Sequence, residues 1–255
     1  MSDLTPDAEK SHQIKISLRT RLLTARRSLP VAVRSAADAQ LQDQIIALVR
    51  RTGARSIAAY VPVGSEPGGS DLPDRLLAAL PPDGRLLLPV LLPDNDLTWA
   101  DAAPPTASSA APPTPHLTSS PGNSKGPASP GGPVAPGVSA DPSGPRMGRS
   151  LLVAGPRGLR EPAGPRLGVE AVCSVDLLLV PALAVGGDGT RMGRGGGSYD
   201  RVLARLPEPG PLVVALLHDG EDVDFVPAEP HDRRVHAVIT PTGGFARRPY
   251  SPSGS

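Results

Sequence analysis

Twelve residues, Gly189-Thr190-Arg191-Met192-Gly193-Arg194-Gly195-Gly196-Gly197-Ser198-Tyr199-Asp200, bring guanidinium groups, bare backbone and one carboxylate into a single stretch. Gly195, Gly196 and Gly197 carry no Cβ, so the backbone there can take positive φ and turn successive N–H groups onto one anion. Arg191 and Arg194 add forked, charge-assisted donors that match phosphate oxygens. Asp200 supplies a hard oxygen ligand of the kind Mg²⁺ takes beside nucleotide phosphates. The stretch therefore reads as a polyphosphate grip, and the alternative on composition alone is a solvated Gly-rich loop. Its spacing matches neither G-x-x-x-x-G-K-[ST] nor G-x-G-x-x-G, so neither standard nucleotide fingerprint applies.

The surrounding pattern says what must hold this loop in place. The apolar run from Val175 to Leu183 precedes it, and Val202, Leu203 and Leu206 follow at helical spacing. The loop is thus expected to join a buried strand to a helix N-terminus, an end that attracts anions. Upstream, Ile14, Leu18, Leu22, Ala25 and Leu29 recur every three to four residues and predict an amphipathic helix from His12 to Leu29, stopped at Pro30. A second helix is expected over Ala36 to Arg51, with Leu41, Ile45, Leu48 and Val49 inward and Gly53 as its stop. Asp71 to Leu80 reads as a third, with Asp71 as N-cap and Pro73 in the first turn. Strands are expected at Ser56 to Val63, Arg85 to Leu92, Leu177 to Val180, Leu212 to Leu217 and Val235 to Ile239. Short, nearly continuous apolar runs alternating with helical stretches are the signature of an α/β fold, a mostly parallel central sheet with helices on both faces. Ligands in such folds collect at the carboxyl ends of the strands. Glu66, the 189–200 loop and the 227–232 segment all follow strands, so they can converge on one cleft.

Several motifs together resemble the 5-formyltetrahydrofolate cyclo-ligase family, also called methenyltetrahydrofolate synthetase. The 189–200 string is similar to its R-L-G-R-G-x-G-Y-Y-D signature. Lys15-Ile16-Ser17-Leu18-Arg19, with Arg26, Arg27 and Leu29, resembles the family's opening helix. Ala58-Ala59-Tyr60-Val61-Pro62-Val63-Gly64-Ser65-Glu66 resembles its strand and loop that present a Glu to the folate. Gly158-Leu159-Arg160-Glu161-Pro162 resembles a G-I-x-E-P element, and Val226 to Val235 a late segment with a second metal-associated Asp, here Asp232. The likeness covers residues 15–100 and 151–242. This chain departs from the pattern in carrying Ser198 where the family has an aromatic, Met192 for Leu, and Gly196 where some members have Lys. A serine can only hydrogen-bond where a tyrosine would also stack, while Met for Leu nearly conserves volume.

The resemblance implies a reaction: 5-formyltetrahydrofolate and ATP give 5,10-methenyltetrahydrofolate, ADP and phosphate, with Mg²⁺. It also implies roles. Arg194 and Lys15 would be catalytic. ATP would be held by Lys15, Arg19, Arg191, Met192, Gly193, Arg194, Gly195, Gly196, Gly197, Ser198 and Tyr199. Val61, Glu66 and Tyr199, with Tyr60, would line the folate pocket, and Asp200 and Asp232 would bind Mg²⁺ directly or through water. Read without the family, Lys15 and Arg19 are four residues apart on one helix face that could simply be solvated. Two other readings stay open: a folate- or nucleotide-binding paralogue without turnover, and an ATP-using enzyme with another small carboxylic or formyl acceptor.

Composition narrows the rest. From Asp101 to Ser150, 36 of 50 residues are Pro, Gly, Ser or Ala. Such a segment cannot bury enough surface to offset its ordering entropy, and it reads as a disordered insertion dispensable for chemistry. The alternative is a Pro-rich docking ligand at Pro127-Ala128-Ser129-Pro130 or Pro130-Gly131-Gly132-Pro133. What remains, residues 1–100 and 151–242, is expected to form one domain of roughly 200 residues, with 243–255 as a flexible tail. Cys173 is the one cysteine, which excludes an intramolecular disulfide and a multi-thiolate metal site, and it reads as a buried thiol. Lys stands only at positions 10, 15 and 125 among 26 basic residues, the net charge is +1, and the chain has one Trp, three Tyr and two Phe. Stacking platforms are too scarce for a nucleic-acid partner. No stretch has the length of a signal peptide's apolar core or of a membrane span, so a cytoplasmic monomer acting on a small molecule is expected. His12, His116, His218 and His236 share no metal-ligand spacing, adjacent His231 and Asp232 do not face each other, and no G-x-S-x-G elbow occurs, which excludes zinc-enzyme and hydrolase readings.

Overall fold

The computed structural model describes residues 6–102, 152–155, 158–229 and 232–249. All of these described residues belong to one compact unit. Most of the stretch read as an insertion lies outside the described residues, as do both PxxP stretches, His116 and His231. Asp101 and Ala102 are the exceptions, the first ending a strand and the second buried.

The sequence first forms helices α1 (Pro6–Ser28) and α2 (Val31–Thr52). The expected residues of α2, Leu41, Ile45, Leu48 and Val49, are buried. Gly53 stops the helix at φ 65°, its N–H closing on the Val49 carbonyl. Strand β1 (Ser56–Ala58) follows, then α3 (Leu72–Ala79), β2 (Arg85–Leu91) and β3 (Leu97–Asp101). After the 101–151 interval come β4 (Leu152–Ala154), β5 (Arg160–Pro162), β6 (Arg166–Leu167) and a 3₁₀ turn, Val169–Ser174. The chain finishes with β7 (Leu177–Pro181), β8 (Ala184–Val185), β9 (Arg191–Met192), α4 (Ser198–Ala204), β10 (Leu212–Leu216), β11 (Ala237–Thr240) and β12 (Gly244–Arg247).

An eight-stranded sheet runs β12-β11-β10-β7-β1-β2-β3-β6. From β11 through β10, β7 and β1 to β2 the pairings are parallel. The edges β12, β3 and β6 pair antiparallel, so the fold is α/β with mixed edges. Residue alternation divides the core. Leu177, Leu179, Val214 and Leu216 pack with α2 and α3, whereas Leu178, Val180, Val213 and Ala215 pack with the 3₁₀ turn and α4. Two small antiparallel pairs, β4-β5 and β8-β9, stand apart from the sheet.

Several expectations need correction. Strand β1 is three residues long rather than reaching Val63. Ala59 still donates to the Leu87 carbonyl, but the chain then leaves the ladder and Pro62 has no N–H to continue it. The expected apolar face of α1 is only partly inward: Leu22 is buried and Leu18 half-buried against its cluster, but Ile14 is 46% exposed and Ala25 is also exposed, while Lys15 and Arg26 are buried. Asp71 does precede α3, yet its side chain makes no cap bond and instead accepts from Gln42 Nε2 at 2.7 Å. Gly244–Arg247, placed in a tail, is paired against β11. Cys173 is only half-buried, in the 3₁₀ turn, where burial and then the hydrogen bond to Glu170 push its thiol pKa up. Among the described residues no helix is long and apolar enough to cross a membrane.

Candidate active site

From β1 the chain winds outward through β2, and from β7 it winds the opposite way through β10 and β11. The winding reverses between β1 and β7, and carboxyl ends at such a reversal hold ligands in doubly wound sheets. Here they open into a cleft of about 510 Å³, a size that suits a small-molecule site. Every candidate named from the sequence lines it: Lys15, Arg19, Val61, Glu66, the 191–200 residues and Asp232.

The phosphate-loop candidate is not one loop between a strand and a helix. Arg191 and Met192 form β9, paired with β8, and Ser198, Tyr199 and Asp200 already belong to α4. Only residues 193–197 bridge the two. Gly195 and Gly197 take φ of 103° and 70°, conformations a side chain would strain. Gly193 is required for a different reason: a Cβ there would lie 2.8 Å from Arg191 Nη1. Arg191 is 3% exposed and held as a strut, donating to Asp200 Oδ1 at 2.5 Å and to the Pro181 carbonyl at 3.2 Å. Arg194 is the accessible guanidinium, its side chain 54% exposed and 3.4 Å from Glu66 Oε1. Helix α4 has seven residues, so the loop is not backed by a long helix end.

Helix α1 covers the cleft. Arg19 Nε donates to the Gly193 carbonyl at 3.2 Å and its guanidinium stands beside Gly195. Lys15, almost fully buried, donates to Glu229 Oε2 at 3.0 Å and makes a close ion pair with Asp232 Oδ2. His12 Nδ1 lies 3.3 Å from Glu229 Oε1. Glu229 and Asp232 thus hold α1 by charge, and Asp232 is further fixed by the Glu229 N–H at 2.7 Å.

The cleft also has an aromatic and apolar lining, formed by Tyr60, Tyr199, Pro89, Leu91 and Leu97. Tyr60 donates to the Pro67 carbonyl at 2.5 Å. Burial first, and then the Glu66 carboxylate, push both tyrosine phenols well up, so they stay neutral donors. Glu66 Oε2 accepts the Val63 N–H at 2.9 Å, which presents the carboxylate from a tight turn. Val61 is buried beside it.

The sequence reading missed His12, Arg26, Glu161 and Glu229 as cleft residues. Glu161 was noted only as part of a motif. It is 4% exposed, one oxygen accepts from Arg166 Nη2 at 3.1 Å, and Oε1 has no hydrogen-bond partner among the described residues. The basic periodicity of α1 was the available signal for Arg26. Glu229 lies within the 227–232 segment expected at the cleft, but no local pattern marks its pairing with Lys15.

No group of three or more His, Cys, Asp or Glu able to hold a metal occurs among the described residues. Asp200 and Asp232 are each tied to a cation, Arg191 and Lys15 respectively. Two carboxylates beside a phosphate grip do fit an ion that brings phosphate and water ligands of its own, as Mg²⁺ does with nucleotides.

The profile of the 5-formyltetrahydrofolate cyclo-ligase family matches residues 11–151 and 150–241. A 5-formyltetrahydrofolate cyclo-ligase of Mycolicibacterium smegmatis is 37% identical over 240 residues, 92% of this chain and 97% of that protein. The Escherichia coli K12 protein of the same name is 36% identical over 81 residues, 31% of this chain and 44% of that one. The solved 5,10-methenyltetrahydrofolate synthetase of Aquifex aeolicus superposes with a TM-score of 0.61 at 20% identity, covering 95% of this chain and 96% of that one. The Mycoplasma pneumoniae synthetase gives 0.56 at 17%, covering 89% and 98%. At those identities the two structures establish a common fold, and the sequence matches go further: this chain belongs to the 5-formyltetrahydrofolate cyclo-ligase family.

Proposed function

We propose that this chain couples ATP hydrolysis to the cyclisation of 5-formyltetrahydrofolate, releasing 5,10-methenyltetrahydrofolate, ADP and phosphate. The observation that carries the reading is one cleft lined both by donors suited to phosphate, Lys15, Arg19, Arg194 and the 195–197 backbone, and by Tyr60, Tyr199, aliphatic side chains and Glu66. The formyl amide at N5 is a poor electrophile, and water is a poor leaving group from the cyclised adduct. Transfer of the γ-phosphoryl group to the formyl oxygen, with release of ADP, addresses both: N10 attacks the activated carbon and gives up its proton to solvent or to the departing phosphate, and the C–O bond breaks with departure of phosphate.

The protein's work is then alignment and charge neutralisation. Arg194 and the amides of residues 195–197 hold phosphate oxygens, with Arg191 bracing them from beneath through Pro181 and Asp200. Lys15 and Arg19 close from α1. Glu66 accepts hydrogen bonds from the donor edge of the pterin, against Tyr60 and Tyr199. The Glu66–Arg194 pair must open as the two substrates enter, which the exposure of Arg194 permits. Asp200 and Asp232 are the residues that would hold Mg²⁺, whose charge would offset that of the phosphates. Ser198 contributes a hydroxyl beside Gly196 in place of a stacking ring.

The test is the absorbance of the methenyl product after mixing the chain, Mg·ATP and 5-formyltetrahydrofolate, with each omitted in turn. A rise that needs all three components is expected. ATP binding without product would instead identify a binding paralogue, and ADP release only with a different formyl or carboxylic acceptor would identify another substrate.

A further inference from the structure

Helix α1 is 23 residues long, yet among its described side chains only Lys15, Leu22 and Arg26 are buried. Two of these are cations, so apolar burial alone does not define the rotation and depth of the helix. Leu22 does pack with Leu183, Ala184, Met192 and Val226, with Leu18, Leu23 and Val223 half-buried against them, a small cluster without an aromatic ring. Lys15, Arg19, Leu22 and Arg26 are spaced by four, three and four residues and so fall within an arc of roughly 60°. That face carries Lys15 and Arg19 at one end and Arg26 at the other.

Arg26 is locked. Its Nε donates to Glu221 Oε1 at 2.6 Å, and Nη2 donates to Glu221 Oε2 at 2.7 Å and to the Ala182 carbonyl at 2.5 Å. Arg26 is 2% exposed and Glu221 4%. The carboxylate is itself immobilised, since Oε2 also accepts the His218 N–H at 2.8 Å while the Glu221 carbonyl accepts from Val185 at 3.1 Å. Ala182 follows β7, and His218 and Glu221 follow β10, so the guanidinium ties α1 to the carboxyl ends of two central strands. A two-pronged charged pair admits one relative orientation, whereas an apolar contact can slide.

We propose that the Arg26–Glu221 pair is a positioning latch that sets where Lys15 and Arg19 stand over the 193–197 loop, and so governs nucleotide affinity. The proposal rests on the reading that Lys15 and Arg19 meet ATP. Arg26 is a positioning residue, not a catalytic one: it sits about 10 Å along the helix from Arg19 and about 16 Å from Lys15, and its Nε and Nη2 donors are already engaged.

Glu221→Gln and Arg26→Lys test it, each keeping the size and polarity of the site while removing one half of the fork. In the intact chain, ATP affinity by calorimetric titration, KM for 5-formyltetrahydrofolate and amide hydrogen exchange of α1 and α2 are measured. Expected are a roughly tenfold loss of ATP affinity, a folate KM within about twofold, and faster exchange in α1 with α2 unchanged. Unchanged ATP affinity in folded variants, with the parent chain binding ATP, overturns the latch and leaves the functional reading standing. A parent chain that does not bind ATP overturns the nucleotide reading and the latch with it. Failure of both variants to fold, or equally faster exchange throughout the sheet, assigns the pair to general stability and also overturns the latch.

Discussion

Arg194→Ala separates stability from catalysis more cleanly than any other single change in this cleft. The Arg194 side chain is 54% exposed and its Glu66 partner lies 3.4 Å away. Arg194 is open to solvent, and Glu66, 12% exposed, keeps the Val63 N–H as a partner when Arg194 is removed, so the pair is worth about 1 kcal/mol. Its loss should lower Tm by no more than about 4 °C in a domain of this size. During turnover the same guanidinium would face a phosphoryl group in a site from which substrates have displaced water. One preorganised donor in that situation is worth about 2.7–4 kcal/mol, or 10²–10³ in kcat. The prediction is therefore a folded protein, nearly as heat-stable as its parent, with turnover lower by two or more orders of magnitude. Initial rates of methenyl absorbance at saturating ATP and folate give kcat, and a thermal melt gives the stability. Arg194→Lys keeps charge but not the fork and should restore only part of the rate. An Arg194→Ala rate within about threefold of the parent would refute the assignment of Arg194 to phosphate.

Three further changes probe other walls and other properties. Glu66→Gln keeps the acceptor for the Val63 N–H but removes the charge, and should raise KM for 5-formyltetrahydrofolate about tenfold, as for loss of one charge-assisted hydrogen bond, with KM for ATP little changed; steady-state kinetics in both substrates decide it. Asp176→Ala removes an oxygen that accepts from the Arg55 N–H, the Ser56 N–H and the Ser56 hydroxyl, joining the starts of β1 and β7, and should cost about 1–2 kcal/mol in a urea melt. Burial alone would raise the Asp176 pKa, but those hydrogen bonds outweigh it and hold the carboxyl below its ordinary 3.8, so its contribution is complete above that value and fades as pH falls through the lower, folded-state pKa. His236 accepts the Val213 N–H on Nδ1, and burial, with Arg247, holds it below the ordinary 6.5. Its stabilisation is complete above 6.5 and is lost as pH drops through the folded-state pKa, so His236→Asn, which retains an acceptor, should melt with a shallower dependence on pH between about 7 and 5.

Much of the molecule was legible from local signals. The buried strands β2, β7 and β10 were recognisable as uninterrupted apolar runs, and α2 by its period and its Gly53 stop, because each signal is contained in neighbouring residues. The edges were not. Strand β3 was marked only by the turn residues of Pro93-Asp94-Asn95-Asp96, and β8 and β9 are two residues each, too short for any period to show. The apolar residues of α1 misled in part for a physical reason: beyond the apolar contacts of Leu18 and Leu22, its inward face meets carbonyls and carboxylates of a cleft, so cations are buried there and Ile14 is left exposed.

The chain by itself determined the chemistry available: the glycines that bare the backbone at 193–197, the guanidinium groups beside them, and the carboxylates at 66, 200 and 232 are residue types, and type is local information. Which of these groups remain free to act was decided only in three dimensions. Arg191 and Arg194 look alike in sequence, yet Arg191 is spent on Asp200 and Pro181 while Arg194 stands half in solvent. Lys15 and Asp232, 217 positions apart, neutralise each other because the ends of β10 and β11 return the chain to α1. Ion pairing depends on distances that parallel strand order sets across the whole sheet, and no local pattern encodes them.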